Sequence, residues 1–402
     1  MALSGLKRAL SNGEFSKLWI GQMVSNLGDE IAFFGLAVMV VFSWNGGAID
    51  LSIVMAASSL PVLLFGPIAG VYVDRWNKKH TMIIADVLRA ILAILFIFCT
   101  SVFHLAIVVF FLSTVSRFFY PARMSLIPEI LDRDILVEAN SLSQMTYMLS
   151  VILGPMIATS MIYLLGYFWI FVFDSLSYLF SAFMLSLIRY SPILKMGKKS
   201  PFRELVEGLH YIRKNPTVRL LIWIFAITML FVGGLNVAFS IYIRDVVHLD
   251  VSGYGAMEVL FGIGTVLGSI STGFLAGRVP EGKMVIMGLL GIGLMILSLG
   301  LLPVPIISLI SGGLLLGYFV GYLNAPANAI FQKAVEEEYR GRVFGAQGAL
   351  IQGSGLISIV MIGIAISLFG IIPVILFSSA ILILLSLFLI SSRRAMRVLN
   401  PT

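Results

Sequence analysis

The chain has 402 residues, of which 59% are hydrophobic and only 12% are charged, and its formal net charge is +7. A soluble domain carries roughly 25% charged residues, so this composition excludes a soluble globular fold for most of the chain. The mean hydropathy of +1.01 indicates that lipid is the main solvent of the protein.

The sequence contains twelve long apolar runs, and a transmembrane helix needs about 20 such residues. The runs are continuously apolar, whereas the strands of a membrane barrel alternate apolar and polar residues. We therefore predict an all-α membrane protein with twelve transmembrane helices and no room for a soluble catalytic domain. The predicted spans are 17–43, 51–74, 80–100, 103–122, 140–164, 167–189, 218–243, 252–276, 284–302, 304–325, 343–368 and 371–391.

Lysines and arginines concentrate in the amino-terminal segment, in every second loop and in the tail, with Arg89, Arg117 and Arg244 as exceptions. Membrane proteins keep an excess of basic residues in their cytoplasmic loops. The distribution predicts a multi-pass protein of the cytoplasmic (inner) membrane with both termini in the cytoplasm. It also explains the positive charge without nucleic-acid binding.

The first span carries Gln22, Asn26, Asp29 and Glu30 as one polar stripe at helical spacing. A charge inside a bilayer costs at least about 2.5–3.5 kcal/mol, so the stripe is expected to face a cavity. Adjacent carboxylates repel in a low dielectric, and one of them is expected to exchange a proton near neutral pH. Asp29 or Glu30 is therefore the predicted proton-coupling site. The alternative is a polar cluster that only packs helices.

Two further embedded acids are candidates for proton coupling. Asp174 is expected in the outer third of the sixth span, where it could instead cap or pair locally. Glu258 lies close to the start of the eighth span and could simply reach the outer water.

A polar hairpin, Gly70 to Lys79, separates the second and third spans, and a degraded copy begins at Gly273. The two leading glycines are 203 positions apart. Pro121 and Pro326, at the ends of the fourth and tenth predicted spans, are 205 apart. Two matches with nearly the same offset indicate a duplicated chain.

The longest polar interruption runs from about 190 to 219 and contains apolar residues at spacings of three and four over 201–213. This spacing predicts an amphipathic helix along the membrane surface, and the alternative is a linker with helical propensity. The predicted organisation is an N-terminal six-helix bundle over 1–190, a cytoplasmic linker over 191–217 and a C-terminal six-helix bundle over 218–402.

Aromatic and polar side chains near the middle of the first and seventh spans are candidates for an apolar substrate cavity. A pocket of this kind suits bulky amphiphilic molecules. Packing against lipid is the alternative interpretation. The candidates are Gln22, Asn26, Phe33, Phe34, Phe231, Asn236 and Phe239.

The hairpin resembles the signature loop of the major facilitator superfamily, Gly-x-x-x-Asp-Arg-x-Gly-Arg-Lys. Asn77 stands where that loop has its internal glycine, and asparagine tolerates left-handed backbone angles. The stretches Ser25–Asp29 and Tyr339–Val343 are similar to the bacterial branch of macrolide efflux pumps and enterobactin exporters. Gly154-Pro155 resembles the core of an antiporter motif, although Ala158-Thr159 replaces the glycine pair expected after it.

The resemblance implies two pseudo-twofold-related six-helix bundles around a central cavity. It also implies a conformational latch in which Asp74 meets the N-terminal end of the eleventh span near Arg342. Asp86 and Arg89 are three residues apart on the third span and are expected to pair near its cytoplasmic end. The predicted latch residues are Gly70, Asp74, Arg75, Lys78, Lys79, Asp86, Arg89 and Arg342.

These observations and the resemblance predict a secondary active transporter that exports amphipathic organic compounds, such as drugs, macrolides or siderophores, in exchange for protons. Uptake or lipid flipping on the same fold is an alternative, and a membrane-embedded enzyme or a non-transporting receptor is an alternative of another class. The sequence shows no nucleophile–base or metal-binding motif, so we predict no enzyme, cofactor or metal. The predicted partners are a small-molecule substrate, protons and membrane lipids, and a duplicated chain is expected to work as a monomer.

Overall fold

The computed structural model describes residues 2–190, 201–392 and 398–399, with all their side chains except those of 2–6, 67, 71, 74, 133 and 201–205. Over these residues the chain is helical almost throughout and contains no strand. Helices satisfy the backbone hydrogen bonds of each segment internally, which a lipid environment requires. The predicted all-α fold is confirmed.

Within the residues that the structure describes, twelve helical segments are long and apolar enough to cross a bilayer, as predicted. The spans of the first half are Gly13–Val38 with a π-helical turn Met39–Ser43, Ala48–Arg75, Lys78–Leu95 with a 3-10 turn Phe96–Phe98, Val102–Ile130, Leu136–Leu165 and Tyr167–Ser186. Those of the second half are Pro216–Val232 with Leu235–Asp245, Val251–Leu275, Glu281–Leu301, Pro305–Ser308 with Leu309–Leu315 and Leu316–Ala334, Arg340–Phe369 and Ile371–Ser391. The helices Ala2–Ser11 and Pro201–Lys214 and the short turns Arg133–Ile135 and Glu337–Tyr339 complete the described structure.

Pro121 and Pro326 lie inside the fourth and tenth helices instead of ending them, so the predicted ends of these two spans were wrong. An internal proline costs about 3 kcal/mol in a soluble helix. Membrane helices tolerate it because neighbouring helices and local adjustments satisfy the freed backbone groups. The fourth helix therefore continues to Ile130 and the tenth to Ala334.

Asparagine and aspartate side chains begin four of the long helices. The Asn12 side chain accepts hydrogen bonds from two backbone amides of the first span, both at 3.0 Å. Asn215 and Asp250 begin the seventh and eighth spans in the same way. Asn77 caps the third span with an extended backbone, φ −68° and ψ 109°. The expectation of a left-handed Asn77 was therefore wrong, because this residue replaces glycine as a helix N-cap.

The chain divides into two units. The first comprises Met1–Met39 and Ile53–Pro201, and the second comprises Val40–Ser52 and Phe202–Thr402. The second unit thus includes the end of the first span and the beginning of the second, which the predicted boundaries assigned to the N-terminal bundle. Residues 191–200 of the predicted linker lie outside the described residues.

In the second unit, Arg244 holds the segment Val40–Ser52. Its Nη1 donates to the carbonyl oxygens of Val41 and Gly46 at 2.6 and 2.8 Å. The carboxylate of Asp245 accepts from the same guanidinium at 2.5 and 3.0 Å. These contacts give a structural role to an arginine that departs from the distribution of the other basic residues.

The eighth and tenth spans of the second unit pack through glycines on both helices. A Cβ atom built on any of these glycines would overlap a backbone carbonyl oxygen of the facing helix. Close backbone approach of this kind is typical of membrane helices. The glycines are Gly264 and Gly268 on the eighth span, as predicted, and Gly317 and Gly321 on the tenth.

Candidate functional site

Three glycines bring the first span into close contact with the sixth. Gly21, Gly28 and Gly35 are seven residues apart, which is nearly two helical turns, so they share one face. A Cβ on Gly21 would lie 3.1 Å from the Cβ of Met184, and one on Gly35 would lie 3.0 Å from Cγ2 of Ile170. The glycine face therefore sets which polar residues of the first span meet the sixth span.

At Gly28, the central glycine of this face, the neighbours are polar. A Cβ there would lie 2.9 Å from Oδ1 of Asp174 and would overlap the hydroxyl of Ser177. Asp174 is 1% exposed, and its Oδ1 has no hydrogen-bond partner among the described residues. The sixth helix begins at Tyr167, as predicted, and Asp174 lies about two turns inside it, level with Gly28; its expected place in the outer third of the span stays a prediction.

Tyr178 connects the sixth span to the predicted coupling acid of the first. Its hydroxyl donates a hydrogen bond to Oδ1 of Asp29. Tyr178 lies one turn after Asp174 and is 1% exposed. A buried tyrosine hydroxyl is usually hydrogen-bonded, and here its acceptor is a carboxyl group inside a membrane span.

A buried cation completes this region. Arg89 forms the predicted ion pair with Asp86, and their side chains are 6% and 0% exposed. The guanidinium carbon of Arg89 lies 4.2 Å from the centre of the Phe119 ring and 4.4 Å from that of Tyr178. Tyr178 therefore touches both Arg89 and Asp29.

We call Asp29, Asp86, Arg89, Asp174 and Tyr178 the buried charge cluster; Asp29 is half-buried and the other four residues are buried. It draws its members from the first, third and sixth spans. The sequence placed Asp86 and Arg89 with the latch, whereas the contact of Arg89 with Tyr178 places this ion pair beside the coupling candidates.

Gln22 and Arg123 extend the polar contacts of the first span. The Gln22 amide nitrogen donates to the hydroxyl of Ser181 on the sixth span at 3.2 Å. Arg123 of the fourth span donates to the Gln22 amide oxygen at 3.4 Å. Gln22 is thus a buried bridge between two helices, while Asn26, the next residue of the predicted stripe, is half-buried.

Glu30 lies against the fifth span instead of the sixth. A Cβ built on Gly154 would be only 2.6 Å from the Cβ of Glu30, so the glycine of the Gly154-Pro155 pair makes room for this acid. Successive residues of a helix point about 100° apart. The two adjacent acids of the first span therefore meet different helices.

The remaining candidates lie in other surroundings. Glu258 of the second unit is half-buried and accepts a hydrogen bond from Tyr254, whose ring stacks on Phe42 with centroids 6.2 Å apart. Among the predicted cavity residues, Phe34 and Phe239 are buried. Phe33 and Asn236 are exposed, and Phe231 is half-buried.

Comparison with known proteins identifies the family. The family model described as Major Facilitator Superfamily matches residues 18–359 and 221–400. The chain belongs to the major facilitator superfamily. Macrolide efflux protein A of Streptococcus pyogenes is 24% identical over 355 residues, which cover 84% of this chain and 85% of that protein. Multidrug efflux pump Tap of Mycolicibacterium fortuitum is 27% identical over 359 residues, with coverages of 81% and 84%.

Solved structures of other transporters share the fold. The nucleoside transporter NupG matches with a TM-score of 0.78 and 11% identity, over 94% of this chain and 99% of that chain. A bacterial homologue of the iron transporter ferroportin, in an inward-facing state, matches with a TM-score of 0.73 and 15% identity, over 94% and 98%. The predictions of a multi-pass membrane transporter and of no enzyme are confirmed.

The lysines of the superfamily's signature hairpin are held within the first unit. Lys78 pairs with Glu129 at 2.7 Å, and both side chains are largely buried. The hydroxyl of Tyr190 donates to the second oxygen of Glu129 at 2.5 Å. Lys79 donates to two carbonyl oxygens at the end of the sixth span, at 2.8 and 2.7 Å, where the helix dipole favours a cation.

The other predicted latch residues differ in their surroundings. A Cβ built on Gly70 would meet no atom within 4 Å. Arg75 is exposed, and the side chain of Asp74 lies outside the described part. In the second unit, Arg342 pairs with Glu207 of the helix Pro201–Lys214 at 3.2 Å. The helix Pro201–Lys214 is the predicted linker helix. The contact between Asp74 and the eleventh span stays a prediction.

Sequence reasoning missed Tyr178, Phe119 and Ser181. Aromatic residues and serines are common in apolar spans, and no sequence pattern distinguishes these three from the others. The seven-residue spacing of Gly21, Gly28 and Gly35 was the available signal. It indicates the face of the first span that another helix approaches, and therefore which of its polar residues are shared.

Proposed function

We propose that this transporter exports amphipathic organic compounds in exchange for protons, and that the buried charge cluster is its coupling site. The observation that supports the proposal is the hydrogen bond from Tyr178 to Asp29, made beside Asp174 and under the guanidinium of Arg89. Carboxyl groups inside a membrane span mark proton pathways by default.

The charge balance of the cluster explains why it would bind protons. It holds three carboxyl groups, Asp29, Asp86 and Asp174, and one cation, Arg89. Two arginines of the fourth span are directed elsewhere: Arg117 donates to the carbonyl oxygen of Ser113 and Arg123 to the amide oxygen of Gln22, and neither pairs with a carboxyl group of the cluster among the described residues. Within the cluster the carboxyl groups outnumber the cation, and an uncompensated buried charge is strongly unfavourable. A proton bound by one of the carboxyl groups would reduce this cost, and its release requires access to water.

Alternating access would supply that water from either side of the membrane in turn. The names of the relatives, a macrolide efflux protein and a multidrug efflux pump, support export of bulky amphipathic molecules. The distribution of basic residues supports an orientation with both termini in the cytoplasm. Uptake or lipid flipping by the same fold would give the opposite direction of flux or a lipid as cargo.

Reconstitution tests this proposal. The protein is placed in liposomes with an imposed pH gradient, and flux is measured for a macrolide, a siderophore and a cationic drug. We expect flux of at least one compound to follow the gradient in size and direction. Flux that ignores the gradient, or gradient-driven movement of lipid alone, would contradict export by proton exchange.

Variants then locate the coupling site. We expect Asp29→Asn to abolish the response to the gradient and Asp174→Asn to reduce it, with Glu30→Gln distinguishing the neighbouring acid. Asp134→Asn is the matched control, because Asp134 is an exposed acid of the same unit paired with Arg8. A gradient response that survives in Asp29→Asn, Asp174→Asn and the double variant would remove the cluster from the mechanism.

The predicted latch leads to a separate prediction about Asp74. Asp74→Asn should reduce transport while leaving the affinity for substrate nearly unchanged, because the hairpin acts on the conformational equilibrium and not on the binding site. Substrate binding measured by titration separates the two effects, and a large loss of affinity would count against a latch at Asp74.

A further inference from the structure

A groove of about 760 Å³ opens on the first unit beside the signature hairpin. The third and fourth spans form its walls, and the mouth is formed by Arg75, Asn77 and His80. None of these three residues belongs to the buried charge cluster, and the groove takes no part in the proposed coupling.

The groove has the length of one membrane leaflet. It runs along the third span from Asn77 at the mouth to Leu88 in the interior. At a rise of 1.5 Å per residue this segment is about 16 Å long. The hydrocarbon core of a bilayer is about 30 Å thick, so the groove matches about half of it.

The walls of the groove are apolar and its polar character lies at the mouth. Ile84, Leu88 and Phe118 line the interior. Thr81 and Thr114 also line it, but each hydroxyl donates to a backbone carbonyl of its own helix, at 3.0 and 2.8 Å. These threonines therefore offer no free donor to a ligand.

The mouth combines a cation with an interfacial aromatic residue. Arg75 is exposed and makes no ion pair or hydrogen bond with any described residue. His80 is also exposed and lines the same groove. Trp76 is 46% exposed and stacks on Phe118 with ring centroids 6.0 Å apart. Tryptophan is enriched at the level of lipid headgroups.

We propose that this groove binds one anionic phospholipid. The headgroup phosphate lies on Arg75 and His80, and an acyl chain lies along Ile84, Leu88 and Phe118. Basic pockets between membrane helices are known to bind anionic headgroups. Binding itself does not depend on the proposed transport function, whereas its assignment to the cytoplasmic leaflet rests on the orientation proposed above.

Trp76 provides the readout. The full-length protein is placed in vesicles of phosphatidylcholine that contain a small fraction of brominated phosphatidylglycerol, and tryptophan fluorescence is measured. The part of the quenching that disappears in Trp76→Phe reports lipid in the groove. We expect this Trp76-dependent quenching to be larger with brominated phosphatidylglycerol than with an equal fraction of brominated phosphatidylcholine. Trp169→Phe, at the opposite end of the bundle, serves as the control reporter and should show no such preference.

Substitutions at the mouth distinguish a specific lipid-binding site from non-specific attraction of anionic lipid by the charged surface. A cation near an anionic headgroup contributes about 1 kcal/mol, which corresponds to about a fivefold change in affinity. We expect Arg75→Gln to weaken the preference about fivefold, Arg75→Gln with His80→Gln to abolish it, and Arg75→Lys to retain it. Arg278→Gln removes an exposed cation from the degraded copy of the hairpin and should change nothing.

Two results would overturn the proposal. One is equal quenching of Trp76 by brominated phosphatidylcholine and phosphatidylglycerol. The other is a preference for phosphatidylglycerol that Arg75→Gln and Arg278→Gln reduce to the same extent, which would indicate attraction by the surface as a whole.

Discussion

Replacing Arg89 by methionine tests the reasoning behind the buried charge cluster most directly. Methionine keeps part of the apolar stem of the side chain and removes the guanidinium. The carboxylate of Asp86, whose side chain is 0% exposed, then loses its cation. Removing one partner of a buried ion pair costs about 3–5 kcal/mol.

The two ring contacts add to this cost. The guanidinium lies 4.2 and 4.4 Å from the Phe119 and Tyr178 ring centres. A desolvated cation–π contact contributes roughly 0.5–2 kcal/mol. We therefore expect Arg89→Met to lower the free energy of unfolding by about 4–9 kcal/mol, a large fraction of the total stability of a domain.

A double-mutant cycle separates the ion pair from the rest. Asp86→Leu alone leaves Arg89 unpaired and should cost about 3–5 kcal/mol, whereas Arg89→Met with Asp86→Leu removes both charges and should cost much less than the sum. Unfolding by SDS in mixed micelles gives the free energies. The exposed pair Arg8–Asp134 is the control, and its coupling energy should be below about 1 kcal/mol. Equal coupling energies in the two pairs would refute the reasoning.

Three further predictions concern packing and local contacts. Gly28→Ala should lower the free energy of unfolding by about 1–3 kcal/mol, because its Cβ would collide with the sixth span, whereas Gly70→Ala should change it by less than about 0.5 kcal/mol. Similar effects of the two substitutions in SDS unfolding would contradict the glycine contact. Glu129→Gln should cost about 1–3 kcal/mol in the same assay, because its buried lysine partner loses a charged acceptor; an unchanged stability would count against the pair. Arg244→Gln should speed amide hydrogen exchange within 40–52, measured by mass spectrometry, and unchanged exchange there would show that other contacts hold this segment.

The fold was predictable because its determinants lie along the chain. Continuous apolar runs of about 20 residues predict spans without knowledge of their neighbours. The helix Pro201–Lys214 was predicted from the spacing of its apolar residues for the same reason. Sequence pattern also predicted the family, through the residues of the hairpin that begins at Gly70.

The arrangement of the charges was less predictable, because it depends on which helix faces which. The i, i+3 spacing of Asp86 and Arg89 predicts their pairing but says nothing of Tyr178, which lies on another span. The contact of Asp174 with Gly28 was unpredictable for the same reason, because it depends on how the first and sixth spans face each other.

The two units hold embedded charges to different extents. In the described part of the chain, the spans of the first unit hold several embedded charges, whereas Glu258 is an embedded acid of the second unit. Those of the first unit are Asp29, Glu30, Asp86, Arg89, Arg117, Arg123 and Asp174. Each such charge costs at least about 2.5–3.5 kcal/mol in a bilayer, so a second full cluster would double a large penalty. The proposed coupling to protons needs the cluster only once. A second cluster would add this penalty without adding to the proposed function, and in the second unit the eighth and tenth spans pack through glycines instead of charges.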